Sequence, residues 1–166
     1  MVDCSTGKLV IYDHQKAATD IPHTTNHFMS ILKDSSIDAV ILYPLAGKET
    51  QKAWILSALE KNLGVIVGGL MTHGGFLRSE GGYIADGAIE EIYINAINSG
   101  VSNFILPASK NRINQSKKLA DLIKKEAKKP MFYFVGIGAQ CGELEDIKSM
   151  NLDRYHLIIG RDIHAL

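Results

Sequence analysis

The sequence holds no long uninterrupted apolar run, so it offers no transmembrane helix. Its first ten residues, MVDCSTGKLV, lack the basic region followed by an apolar region that marks a signal peptide. Only two cysteines are present, Cys4 and Cys141, and they form no metal-ligand pattern. The cytoplasm, where thiols stay reduced, is therefore the expected compartment. An excess of one charge is missing too. Eighteen Lys and Arg balance eighteen Asp and Glu, which leaves no general attraction to nucleic acid or an acidic membrane. No linker, low-complexity tract or domain boundary interrupts the chain. Its 166 residues are enough for one domain with a sizeable core, so residues 1–166 are expected to form a single domain.

What is present is a repeating alternation. Six short apolar runs, Lys8–Tyr12, Ala39–Tyr43, Val65–Leu70, Asn103–Leu106, Phe132–Ile137 and His156–Ile159, start about 25 to 40 residues apart, the spacing of βαβ units. They are rich in Val, Ile, Leu, Phe and Tyr without clean alternation, as parallel strands covered on both faces are. Helical patterns fill the gaps at Thr24–Leu32 after Pro22, Lys48–Leu59, Asp86–Ile97 and Ser116–Lys128. Trp54 reads as core packing, and the lysines of the last pattern read as a solvated face. Gly100 stops the third pattern. The expected fold is a repeated α/β chain with a parallel sheet, either open and doubly wound or a barrel. Both place ligands at the C-terminal ends of the strands.

Two strand-end stretches carry the chemistry. The first is DHQKAATDIP, Asp13–Pro22, directly after the first apolar run. Lys16 lies between Asp13 and Asp20. At about 4 Å each carboxylate attracts the ammonium by roughly 4 kcal/mol at an effective dielectric near 20. Such a pair keeps Lys16 protonated and oriented, as a general acid requires. In a regular strand Asp13 and Lys16 face opposite ways whereas His14 and Lys16 share a face, so a bulge or strand end is needed to bring Asp13 and Lys16 together. A salt-bridged surface cluster is the plainer alternative. The second stretch is the glycine-rich turn VGIGAQCG, Val135–Gly142, with Gln140 as an amide donor, followed by Ile159-Gly160-Arg161 after the last run. Glycine lets backbone N–H groups approach an anion, and the Arg161 fork suits phosphate oxygens. Two such loops at adjacent strand ends make a phosphate cup. No GxxxxGK[ST] is present, so this is not a P-loop. A long irregular stretch with four glycines, Thr72–Ala85, is expected to be a lid or binding loop.

In order, DHQKAATDIPHT, LMTHGG, NFILPAS, GIGAQCG and IIGRDI resemble the orotidine 5′-monophosphate decarboxylase family over nearly the whole chain. The family lies within a wider superfamily that includes hexulose-phosphate synthase. The resemblance implies a cofactor-free, metal-free (β/α)8 barrel that dimerises and converts orotidine 5′-monophosphate to UMP and carbon dioxide. It implies that Lys16 protonates C6 of the pyrimidine, that Asp13 takes the first acidic position, and that Asp20 takes the second. It also implies that Asp20, Ile21 and Thr24 reach the neighbouring subunit's site, with Thr72 at the pyrimidine and Pro107 near the site. Gln140 and Arg161, with Gly160 before the arginine, match the phosphate end. The implied partners are a nucleotide monophosphate and a second copy of the chain, with no nucleic acid and no membrane.

This sequence departs from the family pattern in three ways. The family's Asp-x-Lys-x-x-Asp has one extra residue on each side of Lys16 here, which leaves Asp13 and His14 as alternatives for the inward position. Val135 stands where proline usually precedes the glycine turn. A (β/α)8 barrel needs about 200 residues or more, and the match runs from the family's third strand to its eighth. The fold expected is therefore a TIM-type barrel reduced to about six βα units, without the first two units and the last helix. Those units normally supply an acid and a lysine to the charged array, so little decarboxylation is expected of these 166 residues acting alone. A related sugar-phosphate lyase or synthase, and a non-catalytic nucleotide-phosphate-binding or scaffold fragment, are the alternative functions.

Overall fold

The computed structural model describes residues 7–13, 17–138 and 142–160. Among them six strands alternate with helices. The elements are β1 (Ile11–Asp13), α1 (Thr25–Asp34), β2 (Ala39–Leu42), α2 (Lys48–Glu60), β3 (Gly64–Gly68), α3 (Ala88–Asn98), β4 (Asn103–Pro107), α4 (Ile113–Glu126), β5 (Met131–Val135), α5 (Leu144–Lys148) and β6 (Tyr155–Leu157). All pairings are parallel, and the strand order is the sequence order, β1-β2-β3-β4-β5-β6. A doubly wound sheet reverses its order at a switch point, and this sheet does not. Its order is that of a barrel wall.

The two faces of the sheet differ accordingly. Register partners in a parallel sheet share a face, and alternate residues point oppositely. One face carries Val40, Leu42, Val65, Val67, Phe104, Leu106, Phe132 and Phe134. They join Met29, Ile55, Tyr93 and Ile123 of the helices in the main core. The other face carries Ile41, Tyr43, Ile66 and Ile105, with Tyr133, Val135 and Ile158 against them. This second cluster consists of strand and strand-end residues, as the interior of a barrel does.

Apolar spacing and a few polar ties hold the helices to the sheet and to one another. In α3, Ile89, Ile92, Tyr93 and Ala96 recur at helical spacing and are buried, and Gly100, at φ +86°, ends the helix. Gln51 of α2 donates to the Ile92 carbonyl at 2.7 Å, and the Ser116 hydroxyl of α4 donates to the Pro107 carbonyl at 2.6 Å. Trp54 is buried against Phe28, with ring centroids 4.9 Å apart, which is the packing role expected of it.

Some boundaries differ from the sequence reading. α4 begins at Ile113 rather than Ser116, because the Ser109 carbonyl accepts from Arg112 and Ile113 N–H and opens the first turn early. Pro22 sits in a 3-10 turn, Pro22–Thr24, that leads into α1. α5 was not anticipated: five residues give no periodic pattern, and Ile147 alone anchors it in the core. β6 stops at Leu157, so Ile159 and Gly160 lie beyond the strand. No helix among the described residues is long and apolar enough to cross a membrane.

Candidate active site

Asp13 ends β1, in register with Ile41, and so lies on the interior face at the C-terminal rim. Tyr43 follows β2 on that face and is buried. Burial pushes its hydroxyl well above the usual phenol range, and Tyr93 and the Asp13 carboxylate push in the same direction. The Tyr43 N–H donates to the Ala17 carbonyl at 3.0 Å, so the chain just after Lys16 is tied to the end of β2. Ala17 and Ala18 are buried, and Ala18 stands at φ +69°. A left-handed alanine costs roughly 1–2 kcal/mol. This strained turn lies in the segment where the sequence has its extra residue between Lys16 and Asp20. His14 and Lys16 lie outside the described residues, as do Gln140 and Arg161.

The next stretch faces outward. The Asp20 carboxylate accepts the Ile21 N–H at 2.7 Å, and the Thr24 hydroxyl donates to the Ile21 carbonyl at 2.9 Å. Ile21 is 58% exposed, an apolar side chain held on a locally ordered turn beside an exposed acid.

The glycine turn is closed at both ends. Gly136 and Gly138 have φ of +85° and +71°, and the Gly142 N–H donates to the Gly136 carbonyl at 3.1 Å. A Cβ on Gly142 would lie 2.5 Å from the Gly136 carbonyl oxygen and 2.7 Å from that of Ala108, so only glycine lets the turn close. After β6, the Ile158 N–H donates to the Phe134 carbonyl at 2.8 Å, which lays the chain leading to Gly160 beside β5. The described parts of the two loops thus leave adjacent strands at the same end of the sheet.

Thr72 follows β3, and neighbouring loops hold its backbone. Its carbonyl accepts from the Ser109 hydroxyl at 3.3 Å and from the Asn111 side-chain amide at 3.2 Å. Pro107 ends β4, buried and in register with Val135. Asp13, Thr72, Pro107 and the glycine turn therefore all sit at C-terminal strand ends. Hollows among the described residues lie instead in the helical layer, including one of about 240 Å³ between Lys48, Gln51 and Lys52 of α2 and Asn95 and Asn98 of α3. Another of about 120 Å³ separates α3 from α4, and one of about 180 Å³ separates α2 from α3 beside Tyr83.

One pair was missed in the sequence. Arg112 is 1% exposed and makes an ion pair with Glu80, its second terminal nitrogen reaching the other Glu80 oxygen at 2.7 Å and the His73 carbonyl at 2.5 Å. The same Glu80 carboxylate accepts from Phe76 and Leu77 N–H. The Arg112 hydrogen bond, chiefly, holds the Glu80 carboxyl down at about 2. Nearby, the Ser79 hydroxyl and N–H both donate to Asp86 and lower its carboxyl as well. A backbone bridge joins Leu77 to Ile84. Residues 72–85 are thus a cross-braced loop. Nothing local marks Arg112 for this role, because its partner lies 32 residues away.

No protein-family model matches the chain. The orotidine 5′-phosphate decarboxylase of Methanococcus maripaludis is 31% identical over 161 residues, which span 96% of this chain and 67% of that protein. The orotidine 5′-monophosphate decarboxylase of Methanocaldococcus jannaschii, in a crystal structure with the inhibitor BMP, superposes with a TM-score of 0.77 at 25% identity, over 96% of this chain and 68% of that one. The enzyme from Sulfolobus solfataricus has the same fold, with a TM-score of 0.70 at 16% identity over 95% of this chain and 66% of that one. Six parallel strands in barrel order, together with this identity and coverage, show that the chain belongs to the orotidine 5′-phosphate decarboxylase family.

Proposed function

We propose that this chain binds orotidine 5′-monophosphate at the C-terminal rim of its sheet and decarboxylates it to UMP. The observation that carries the reading is Asp13, an acid on the interior face at the end of β1, three residues before the only lysine of the Asp13–Pro22 stretch. In the reaction the C6–carboxylate bond breaks with its electron pair left on C6. Carbon dioxide departs, and the Lys16 ammonium delivers a proton to C6 and is later reprotonated from solvent. The pyrimidine offers no carbonyl placed to absorb that charge, so a fixed cation at C6 does the stabilising. Asp13 keeps Lys16 charged and aimed, with His14 as the alternative inward group, and substrate carboxylate beside Asp13 is raised in energy.

The remaining assignments follow the family pattern. Gln140, Gly160 and Arg161 take the phosphate, supported by the closed glycine turn at the neighbouring strand end. Thr72 faces the pyrimidine, and Pro107 borders it. Asp20, Ile21 and Thr24 serve the site of a second copy in a homodimer, a role that suits their outward-facing turn. The chemistry uses no cofactor and runs in the cytoplasm on a single domain.

Lys16→Ala tests the reading. Decarboxylation should collapse while UMP binding persists, and an unchanged rate removes Lys16 from proton transfer. Arg161→Ala should weaken UMP far more than uridine, and equal losses contradict phosphate recognition. UMP binding with no turnover of orotidine 5′-monophosphate in any assembly favours a non-catalytic nucleotide-binding role.

A further inference from the structure

The loop after β3 has the length and glycine content of a lid, yet its contacts are those of a fixed wall. Glu80 is the hub: its two oxygens accept from the Arg112 guanidinium and from the Phe76 and Leu77 N–H groups of its own loop. Gly82 sits against the Phe76 carbonyl so closely that a Cβ would lie 2.1 Å from its oxygen. Arg112, buried at the start of α4, reaches back to the His73 carbonyl, while Ser109 and Asn111 of the same β4–α4 connection hold the Thr72 carbonyl. Two consecutive carbonyls of one loop are thus fixed by three donors from the next. A bidentate arginine–carboxylate pair is geometrically restrictive, and lysine cannot reproduce it.

We propose that Arg112 and Glu80 are positioning residues: their ion pair, with Asn111, fixes the Thr72–His73 turn so that it forms a rigid base-side wall of the nucleotide site. The assignment rests on the nucleotide reading above. Neither residue touches the reacting atoms. They act through the backbone at Thr72, and small displacements of such a wall are costly to ligand complementarity.

The test uses the 166-residue chain with two probes that share a phosphate and differ in the base, UMP and ribose 5-phosphate. Glu80→Gln keeps the shape and removes the charge. It should weaken UMP about tenfold and ribose 5-phosphate less than about twofold, because only the base end has lost its wall. General destabilisation would affect both ligands alike. Asn111 is exposed, so Asn111→Ala folds even where Glu80→Gln fails. It should give the same split at about threefold, the worth of one hydrogen bond. Unchanged UMP affinity in these variants, or equal losses for both probes, overturns the positioning role and leaves nucleotide binding standing. A wild-type chain that binds neither probe overturns the nucleotide reading and this assignment with it.

Discussion

Tyr93→Phe isolates one polar tie between the helical layer and the sheet just below the candidate site. Tyr93 is fully buried on α3, and its hydroxyl donates to the Ile105 carbonyl at 2.9 Å and accepts the Gly69 N–H at 3.1 Å. Phenylalanine keeps the ring and its edge contact with Phe104, at 6.1 Å, and removes only the oxygen. The Gly69 N–H then loses its partner in a dry interior. The Ile105 carbonyl loses the Tyr93 hydroxyl as a donor. An unsatisfied buried group costs about 1–3 kcal/mol, so the pair should cost about 2–4 kcal/mol, with Gly69 responsible for the larger part. For a chain of this size each kcal/mol lowers Tm by about 2–4 °C, so a fall of roughly 4–16 °C is expected. Urea unfolding should show a lower midpoint with an unchanged m-value. Tyr83→Phe is the control: Tyr83 is 91% exposed, and its change should stay within about 0.5 kcal/mol. A Tyr93→Phe cost no larger than that of Tyr83→Phe would refute the claim that the hydroxyl joins the two layers.

Other perturbations act on the interior face and the loops. A Cβ on Gly68 would lie 2.3 Å from Ile105 Cγ2 and 2.5 Å from Tyr43 Cε1, both buried. Gly68→Ala should therefore cost about 2–3 kcal/mol by overpacking, and chemical denaturation that finds no loss contradicts the tight interior face. Gly142→Ala forces a methyl against two main-chain oxygens and should open the glycine turn. UMP should then bind about tenfold more weakly, with uridine much less affected, if that turn presents N–H groups to phosphate. The Glu80 carboxyl, held at about 2, should titrate far below the usual carboxylate value of about 4.3, as read from the Phe76 and Leu77 amide shifts. Since the folded value is depressed, its contribution to loop stability is complete above about pH 4.3 and fades as pH falls towards about 2. A midpoint near 4 would mean that the ion pair with Arg112 is not formed in solution.

The sheet was legible in the sequence because its strands are short apolar runs at regular spacing, and the helices because residues such as Ile89, Ile92, Tyr93 and Ala96 repeat on one face. The strand pattern by itself left a barrel and a doubly wound sheet both open, since the choice depends on strand order; the motifs shared with the decarboxylase family pointed to the barrel, and the order β1-β2-β3-β4-β5-β6 bears that out. The position of Asp13 became clear only with the end of β1, where its register with Ile41 places it on the interior face. Residues 72–85 had the glycines of a lid, but their brace comes from Arg112, and no local pattern announces a partner across 32 residues. Ala18, in a left-handed turn, looks in sequence like any helix former.

The most direct test of the central claim is carbon dioxide release from carboxyl-labelled orotidine 5′-monophosphate, using the 166-residue chain with its mass verified, beside its Lys16→Ala variant. Slow release by the wild-type chain that is abolished in Lys16→Ala, with UMP still bound by both, is the predicted result. Equal release by the two proteins, or no binding of UMP by either, would contradict it.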